Sequence, residues 1–447
     1  MKQLRMSTTH YILIGFLAAI LSGSVLLSLP ISSSDGKPVP YIDALFTATT
    51  ATCVTGLVTV STAYSWSAFG QAVILILIQV GGLGIITVMS LFLIMTGKRI
   101  SLGKRLLIMD SLNIDTMSGL SSFIKKIVTG SVIIEGIGAL LYMTVFVPEF
   151  GLRGIWYSVF NAISAYCNAG MDIISDTSLY AYVDNPIINI VTSVLIILGG
   201  LGFIVWWDVI RVLKNRHTRH FRYLSLHSKI VLISTAILLF GGGILIFIFE
   251  YGNPETIGNL SLSAKIQASL FQSVTTRTAG FATIPQESLT TPSVILCLLM
   301  MFIGGSPVGT AGGIKTVTFF IIAAAALSSI TGRRDTVLFN RRISDKALKK
   351  AIAVTFCSFS IAFISSILLS TVCNAPLCDI LYETVSATAT VGLSRNLTSS
   401  LNIFGKIIII VTMYFGRVGP ISLALAFAGG KERADIVKNP IEEISVG

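Results

Sequence analysis

The chain is predicted to be an all-α integral membrane protein, and three observations lead there. Of its 447 residues, 53% are hydrophobic and only 12% charged, with a mean hydropathy of +0.83, well above what a water-soluble chain of this size carries. Apolar runs near the roughly 20 residues that cross a bilayer occur at about 10–30, 70–96, 123–147, 187–210, 228–250, 292–330 (interrupted), 351–373 and 403–428, which gives eight spans. Four short Ser/Thr/Ala-rich segments between these runs each end in one glycine: Cys53-Val54-Thr55-Gly56, Cys167-Asn168-Ala169-Gly170, Arg277-Thr278-Ala279-Gly280 and Ala389-Thr390-Val391-Gly392. Those glycines follow one another at intervals of 114, 110 and 112 residues. A period held across the whole chain means one unit copied four times.

Each unit reads as an outer helix, a short re-entrant helix, a glycine turn and an inner helix. In the first unit these are about 10–30, 41–52, 53–57 and 70–96, and the four pseudo-repeats divide the chain at 1–97, 98–215, 216–335 and 336–430, ahead of a tail at 431–447. The re-entrant helices carry an aromatic at a matching place. Phe46, Phe160 and Tyr382 precede their glycines by ten residues, whereas Phe271 precedes Gly280 by nine, so any ring built from these units is only pseudo-fourfold. A helix of about 11 residues is too short to span and must return on the side it entered. Its C-terminal end, which carries partial negative charge, then points into the membrane toward a shared axis. Non-helical backbone at that depth is tolerated only when buried in protein or lining water. Four such turns around one central pore would present a ring of carbonyls, which is how a protein replaces the water shell of a cation. The candidate ion ligands are therefore Val54, Thr55 and Gly56, Asn168, Ala169 and Gly170, Thr278, Ala279 and Gly280, and Thr390, Val391 and Gly392.

The inner helices share a second mark: Gly81-Gly82-Leu83-Gly84, Gly199-Gly200-Leu201-Gly202, Gly304-Gly305-Ser306-Pro307 and Gly416-Arg417-Val418-Gly419-Pro420. In the first two, close helix packing is a sufficient account. The third continues as Val308-Gly309-Thr310-Ala311-Gly312-Gly313, with five glycines and a proline in ten residues, a composition no helix survives. A loop inside the bilayer must face a water-filled cavity, which makes 304–313 a candidate movable gate. Arg417, at the same level in the fourth copy, costs about 3 kcal/mol or more if it faces lipid and is expected in the cavity, paired with a carboxylate or carbonyl. Glu135, the one acid deep in an outer helix, is a candidate partner. Arg277 is permanently cationic and cannot be an ion ligand; it reads as a strut near the ring, tied to a carbonyl or to an acid such as Glu383.

Charge supplies the topology. Segments 1–9, 98–126, 208–229, 333–350 and 431–447 hold 24 Lys/Arg against 9 Asp/Glu, and the opposite loops and segment ends hold 5 against 11. Basic loops mark the cytoplasmic face, so both termini are expected inside, and the net charge of +11 is topology rather than a nucleic-acid footprint. The acidic outer side, including Asp43, Asp172, Asp176, Asp184 and Glu383, concentrates cations at an entrance. Lys2 and Arg5 ahead of the first run resemble a signal peptide, but without a convincing cleavage site the run reads as a retained helix. The six cysteines show no metal-ligand spacing, and only Cys373 and Cys378 lie near enough in sequence to raise the question of a disulfide. The segment Gly309–Thr316 looks like a phosphate-binding loop with isoleucine for the last glycine, yet no strand precedes it. The four histidines read as solvated surface, and no acid pair or Ser/His/Asp set in the spans suggests an enzyme.

Together these residues resemble the Trk/Ktr/HKT superfamily of potassium transporters, most of all its bacterial Ktr membrane subunit. The resemblance covers roughly residues 10–447 and is carried by the four-unit pattern, Thr275-Thr276-Arg277-Thr278-Ala279-Gly280-Phe281, the glycine-rich interruption and Arg417. It implies that the four glycines form a selectivity filter binding potassium, since glycine in all four copies favours potassium while serine in the first tends toward sodium. It also implies that 304–313 and Arg417 form the gate, that the subunit is a homodimer with one pore per protomer, and that a separate cytosolic ring of nucleotide-binding subunits controls it. The segment 439–447 resembles tails at such a dimer interface. Cys53 and Tyr166-Cys167-Asn168-Ala169 depart from the Thr and Val of a more regular ring. The expected function is passive or sodium-coupled potassium uptake across the cytoplasmic membrane, without an organic cofactor. The alternatives are a sodium-selective uptake protein of the same architecture and the potassium-binding subunit of an ion-pumping ATPase.

Overall fold

In the computed structural model the described residues are 8–95, 120–214, 221–333 and 335–419. The expected repeat boundaries near 97 and 215 and the tail at 431–447 lie outside them, as do Lys2, Arg5, His217 and His220. Backbone N–H and C=O groups cannot stay bare in hydrocarbon, which favours helices, and the described chain is helical apart from turns and one small hairpin. Its helices are α1 (Thr8–Leu27), α2 (Tyr41–Cys53), α3 (Ala68–Leu83), α4 (Ile85–Met95), α5 (Leu120–Phe150), α6 (Arg153–Cys167), α7 (Pro186–Leu201) and α8 (Phe203–Lys214). They continue with α9 (Leu226–Glu250), which contains a π-turn at Ile237–Gly241, then α10 (Leu262–Thr275), α11 (Thr291–Phe302), α12 (Thr316–Ile330), α13 (Asp345–Val372), α14 (Leu377–Ala389) and α15 (Ile403–Val418). Strands β1 (Val337–Leu338) and β2 (Arg341–Arg342) pair antiparallel across Phe339 and Asn340, both left-handed, as a two-residue hairpin turn requires.

Helix starts follow local chemistry. Ser67, Ser225, Ser261, Ser344 and Asn402 each accept a hydrogen bond from the backbone N–H three residues on, and Asn185 accepts from Ile187 and Ile188 ahead of Pro186. Such caps satisfy donors that the first turn leaves open. Among the described residues four helices, α1, α5, α9 and α13, are long and apolar enough to cross a membrane by themselves. Their outward sides are apolar and exposed, as at Ile14, Ile137 and Phe356, a surface that suits lipid rather than water.

The expectation of single continuous inner helices is corrected. Helices α3 and α4 are separated at Gly84, and α7 and α8 meet at Gly202 with a 97° bend. Gly84, Gly202, Gly304 and Gly419 all have positive φ, at 85°, 89°, 27° and 92°, so every inner segment breaks or ends at a left-handed glycine. The close packing expected of the first two glycine clusters is present as well, and Gly416 of the fourth, where it was not expected, shares it. A Cβ at Gly81, Gly199 or Gly416 would lie 1.9, 2.0 or 2.2 Å from the carbonyl oxygen of Thr52, Tyr166 or Thr388, respectively. Those three carbonyls each stand four residues ahead of a turn glycine, so the missing side chains let the inner segments lie against the ends of the short helices.

The short helices α2, α6, α10 and α14 occupy the interior, with Phe46, Phe160, Phe271 and Tyr382 fully buried. Around them, Lys406 of α15 pairs with Asp43 of α2, and Arg395 joins Asp379 to the carbonyl of Gln286. These contacts tie α15 to α2, and the segment after α14 to the segment after α10. Cys373 and Cys378 are free thiols, so the question of a disulfide is answered in the negative.

Adding one methyl at Gly416 forces it against the Thr388 backbone, and overpacking of this kind costs about 1–3 kcal/mol. Gly416→Ala is expected to lower the thermal midpoint of the detergent-solubilised protein. Gly136→Ala on α5, whose Cβ would meet nothing within 4 Å, is expected to leave it unchanged or raise it.

Candidate functional site

Each short helix ends in a turn with two left-handed residues. The pairs are Val54 and Gly56, Asn168 and Gly170, Thr278 and Gly280, and Thr390 and Gly392, with φ between 52° and 99°. A left-handed Val or Thr is strained and persists only where its surroundings over-determine it. In three turns the hold is a backbone bond five residues back, Thr55 N–H to Thr50, Ala169 N–H to Ser164 and Val391 N–H to Ser386, at 2.9, 2.8 and 2.8 Å. The third turn closes one residue tighter, with Ala279 N–H donating to the Thr275 carbonyl at 2.9 Å. That shorter closure absorbs the residue missing between Phe271 and Gly280.

A hydroxyl staples each turn from behind. Gly56 N–H donates to Thr50 Oγ1 and Gly392 N–H to Ser386 Oγ. Ser164 Oγ exchanges bonds with the backbone of Met171, and Thr275 Oγ1 donates to the Phe281 carbonyl. Sequence reasoning gave none of these four residues a role of its own, Thr275 entering only as part of the 275–281 motif. Their signal was present, as a hydroxyl six residues before each glycine and five in the shortened copy.

The four turns meet. A Cβ on Gly56 would lie 2.6 Å from the Ala169 carbonyl oxygen, on Gly170 2.5 Å from that of Ala279, on Gly280 2.6 Å from that of Val391, and on Gly392 2.2 Å from that of Thr55. Each glycine thus abuts the residue preceding the next glycine, and the fourth returns to the first. This cyclic order closes a ring, in which Ala169, Ala279, Val391 and Thr55 each hold the same station.

On one side of the ring lies a cavity of about 150 Å³ lined by all four glycines together with Asp172, Asp176 and Gln286. Asp172 accepts from the N–H groups of Ile174 and Ser175, and Asp176 accepts from Ser61. Asp43 and Glu383 stand behind the ring rather than in this cavity. Glu383 is fully buried and accepts from Ser394 and Thr398, while Asp184 is exposed.

On the other side the 304–313 segment packs against the turns. Gly304, Gly305, Ser306, Thr310, Ala311 and Gly312 are buried, and Pro307, Val308, Gly309 and Gly313 partly so. The segment is ordered by the broken α7–α8 pair. Ser306 N–H and Thr310 N–H donate to the Gly200 and Gly199 carbonyls at 3.0 and 3.1 Å, and Phe203 N–H donates to the Val308 carbonyl at 3.0 Å. Backbone groups freed by the helix break are thereby satisfied. Thr310 Oγ1 donates to the Tyr166 carbonyl at 3.0 Å and Gly312 N–H to Thr278 Oγ1 at 3.1 Å. The Asn168 amide is satisfied with its nitrogen toward the Ala165 and Ile196 carbonyls, tying the second turn to α7.

Arg417 bridges this segment to the first inner helix, donating to the Thr310 carbonyl at 2.6 Å and the Gly81 carbonyl at 2.5 Å. Its partners are carbonyls, so the candidate pairing with Glu135 is corrected. Glu135 instead accepts from Gln79 at 3.0 and 3.2 Å. Lys315 donates to the Ala311 carbonyl at 2.6 Å, a second cation on this side that the sequence reading did not weigh. Arg277 is buried beside the third turn, yet it donates to Thr235 Oγ1 of α9 at 3.2 Å rather than to Glu383 or a carbonyl. Of the histidines, His10 and His227 lie in the first turns of α1 and α9, not in solvated loops.

Burial pushes the Asp172 carboxyl up to about 6, with the nearby Asp176 charge adding to the rise. Its negative charge is therefore present above that pH and lost below it. Rubidium binding to the solubilised protein is expected to weaken by about tenfold between pH 7.5 and pH 5, within what one charge contributes a few ångströms away at an effective dielectric near 20. Equilibrium dialysis across this range checks it, and Asp172→Asn should flatten the dependence.

The chain matches the family model described as TrkH, cation transport protein, over residues 2–438. It is similar to the Ktr system potassium uptake protein B of Bacillus subtilis, at 41% identity over 100% of this chain and 98% of the relative. It is also similar to the potassium/sodium uptake protein NtpJ of Enterococcus hirae, at 39% over 99% and 98%, and to the Ktr system potassium uptake protein B of Vibrio alginolyticus, at 36% over 98% and 94%. The fold is similar to that of the potassium transporter TrkH from Vibrio parahaemolyticus, with a TM-score of 0.73 at 18% identity, covering 95% of this chain and 86% of that one. On the match across nearly its whole length, the chain belongs to the TrkH cation transport protein family.

Proposed function

We propose that this protein carries potassium into the cell across the cytoplasmic membrane. Four pseudo-repeats, at 1–97, 98–215, 216–335 and 336–430, supply eight membrane passes around one pore, with both termini cytoplasmic. The carbonyls of residues 54–56, 168–170, 278–280 and 390–392 form the selectivity filter, and the 304–313 segment with Arg417 forms the gate beneath it. The single observation that carries this reading is the closed cyclic order of the four glycines, each against the carbonyl preceding the next. Oxygen atoms held on a ring at the ends of four short helices favour a dehydrated cation. The acidic cavity on one face is then the outer entrance. One glycine per copy gives fewer ordered sites than a filter with several, and looser discrimination against sodium.

The protein acts as a homodimer, one pore per protomer, regulated by a cytosolic ring of nucleotide-binding subunits. Relatives named as Ktr system potassium uptake protein B support membership of such a system. A second reading, sodium as a carried or coupled ion, is favoured by the relative named as a potassium/sodium uptake protein.

Rubidium and sodium flux in proteoliposomes, with and without the cytosolic partner, separates these readings. Rubidium uptake is expected to exceed sodium uptake, and Gly56→Ser to reduce that preference, because the new side chain enters a ring position with φ of 99° and a carbonyl within 2.6 Å of its Cβ. Sodium uptake that dominates and ignores the substitution would retire the potassium assignment.

Hydrogen bonds to a charged group contribute about 1.5–3 kcal/mol each, and Arg417 makes two across the gate. Arg417→Ala is accordingly expected to raise basal flux by at least about tenfold, and deletion of 304–313 to raise it as well. Unchanged or lower flux in folded protein would remove the gate assignment.

A further inference from the structure

Helix α8 turns away from the rest of its unit, meeting α7 at 97°. Spacings of three and four residues sort its side chains into three stripes. Val205, Asp208 and Val212 are buried against the protein, where Asp208 accepts from Ser225 N–H at 2.9 Å at the cap of α9. Trp206, Ile210 and Leu213 form the second stripe, with Ile210 and Leu213 exposed. Trp207, Arg211 and Lys214 form the third, with both cations exposed. An apolar stripe beside a basic one marks a helix that lies in a membrane surface, its tryptophans at headgroup level and its long cations reaching to phosphate.

A second observation sets the height of this helix. Lys126 Nζ stands 5.4 Å from the centroid of the Trp207 ring. Lys126 follows Lys125 near the start of α5, ahead of the apolar stretch that makes that helix able to cross a bilayer. Lysines at the end of such a helix reach the headgroups, so Trp207 lies at the same level. Arg211 and Lys214, one and two turns on, carry the positive charge from α5 along α8. Asp208, the single acid of α8, pairs with Arg211 at 2.5 Å and leaves that guanidinium exposed.

The first residues of α8 rest on the 304–313 segment. Phe203 N–H donates to the Val308 carbonyl at 3.0 Å, and a Cβ on Gly202, at the bend, would lie 2.4 Å from the Pro307 carbonyl oxygen. Whatever holds α8 in place therefore holds the donor that this carbonyl uses.

We propose that Lys126, Trp207, Arg211 and Lys214 bind the headgroups of anionic phospholipids, with Ile210 and Leu213 in the acyl boundary, and that lipid held there steadies the docked 304–313 segment through Phe203. A phosphodiester supplies the charge that complements the cations, and its chains cover the apolar stripe alongside, which a soluble phosphate does not. The bearing of this site on flux rests on reading the segment as the gate; lipid occupancy and backbone exchange do not, so the two can fail separately.

Trp66→Phe with Trp156→Phe leaves Trp206 and Trp207 as the only indoles, which makes them reporters in vesicles containing the full chain. Dibrominated phosphatidylglycerol, whose bromines quench an indole on contact, is expected to occupy the site at least about fivefold in preference to dibrominated phosphatidylcholine, the share of one cation at an anionic surface. Lys126→Gln with Lys214→Gln should bring that ratio close to one. Lys346→Gln with Lys349→Gln, the same change of charge at exposed positions of α13, should leave it unaltered. A ratio of one in the reporter protein, or a ratio that the Lys126 and Lys214 substitutions do not lower, overturns the lipid site. If those two substitutions instead release cytosolic subunits, the face belongs to a protein.

Hydrogen–deuterium exchange on the native sequence tests the link to the segment. Amides of Phe203, Ser306 and Thr310 are expected to exchange about fivefold more slowly in phosphatidylglycerol nanodiscs than in phosphatidylcholine ones, the change that one net hydrogen bond produces. The Lys126 and Lys214 substitutions should abolish the difference. Equal exchange of the native protein in the two lipids overturns the link.

Discussion

The approach of one backbone carbonyl to the bare Cα of a glycine governs this molecule. It occurs around the ring, where Gly56, Gly170, Gly280 and Gly392 leave no room for a Cβ against a neighbouring carbonyl. It recurs outside the ring, where Gly81, Gly199 and Gly416 receive the last carbonyls of the short helices. A side chain at any of these places would push polypeptide off the axis. Glycine thus sets the radius of the ring and the depth to which the inner segments approach it.

The second constraint is that polar backbone inside a membrane must find partners. Breaking α7 from α8 at Gly202 frees carbonyls at Gly199 and Gly200, and the 304–313 segment, which cannot be helical, arrives with free N–H groups at Ser306 and Thr310. The two defects satisfy each other. Arg417 then bridges the segment and the first inner helix through carbonyls, and among the described residues no carboxylate pairs with it. The segment is thus held by hydrogen bonds to the broken helix pair and to the second and third turns.

Much of this was legible in the sequence because it is written in repetition. The period of the four glycines, the matching aromatics and the one-residue deficit before Gly280 fixed where the turns would fall, and each turn has two left-handed residues there. Partners of isolated polar residues were less legible. Glu135 and Arg417 are the sole charges in their neighbourhoods of sequence, which made a pair between them attractive, yet Gln79 and two carbonyls are nearer in space. Arg277 likewise found the Thr235 hydroxyl rather than Glu383. The glycine clusters at 81–84 and 199–202 were read as packing alone, since nothing local distinguishes a glycine that packs from a glycine that breaks a helix.

Sequence alone determined the apolar, helical character, the spacing of the four glycine turns and the positions where backbone must turn, because hydrophobicity, period and glycine act locally along the chain. Tertiary structure decided which carbonyl faces which glycine, that the 304–313 segment repairs the break at Gly202, and that Arg417 finds the carbonyls of Thr310 and Gly81. Those outcomes depend on groups separated by more than a hundred residues competing for the same few hydrogen bonds, and the winner is set by distance in space.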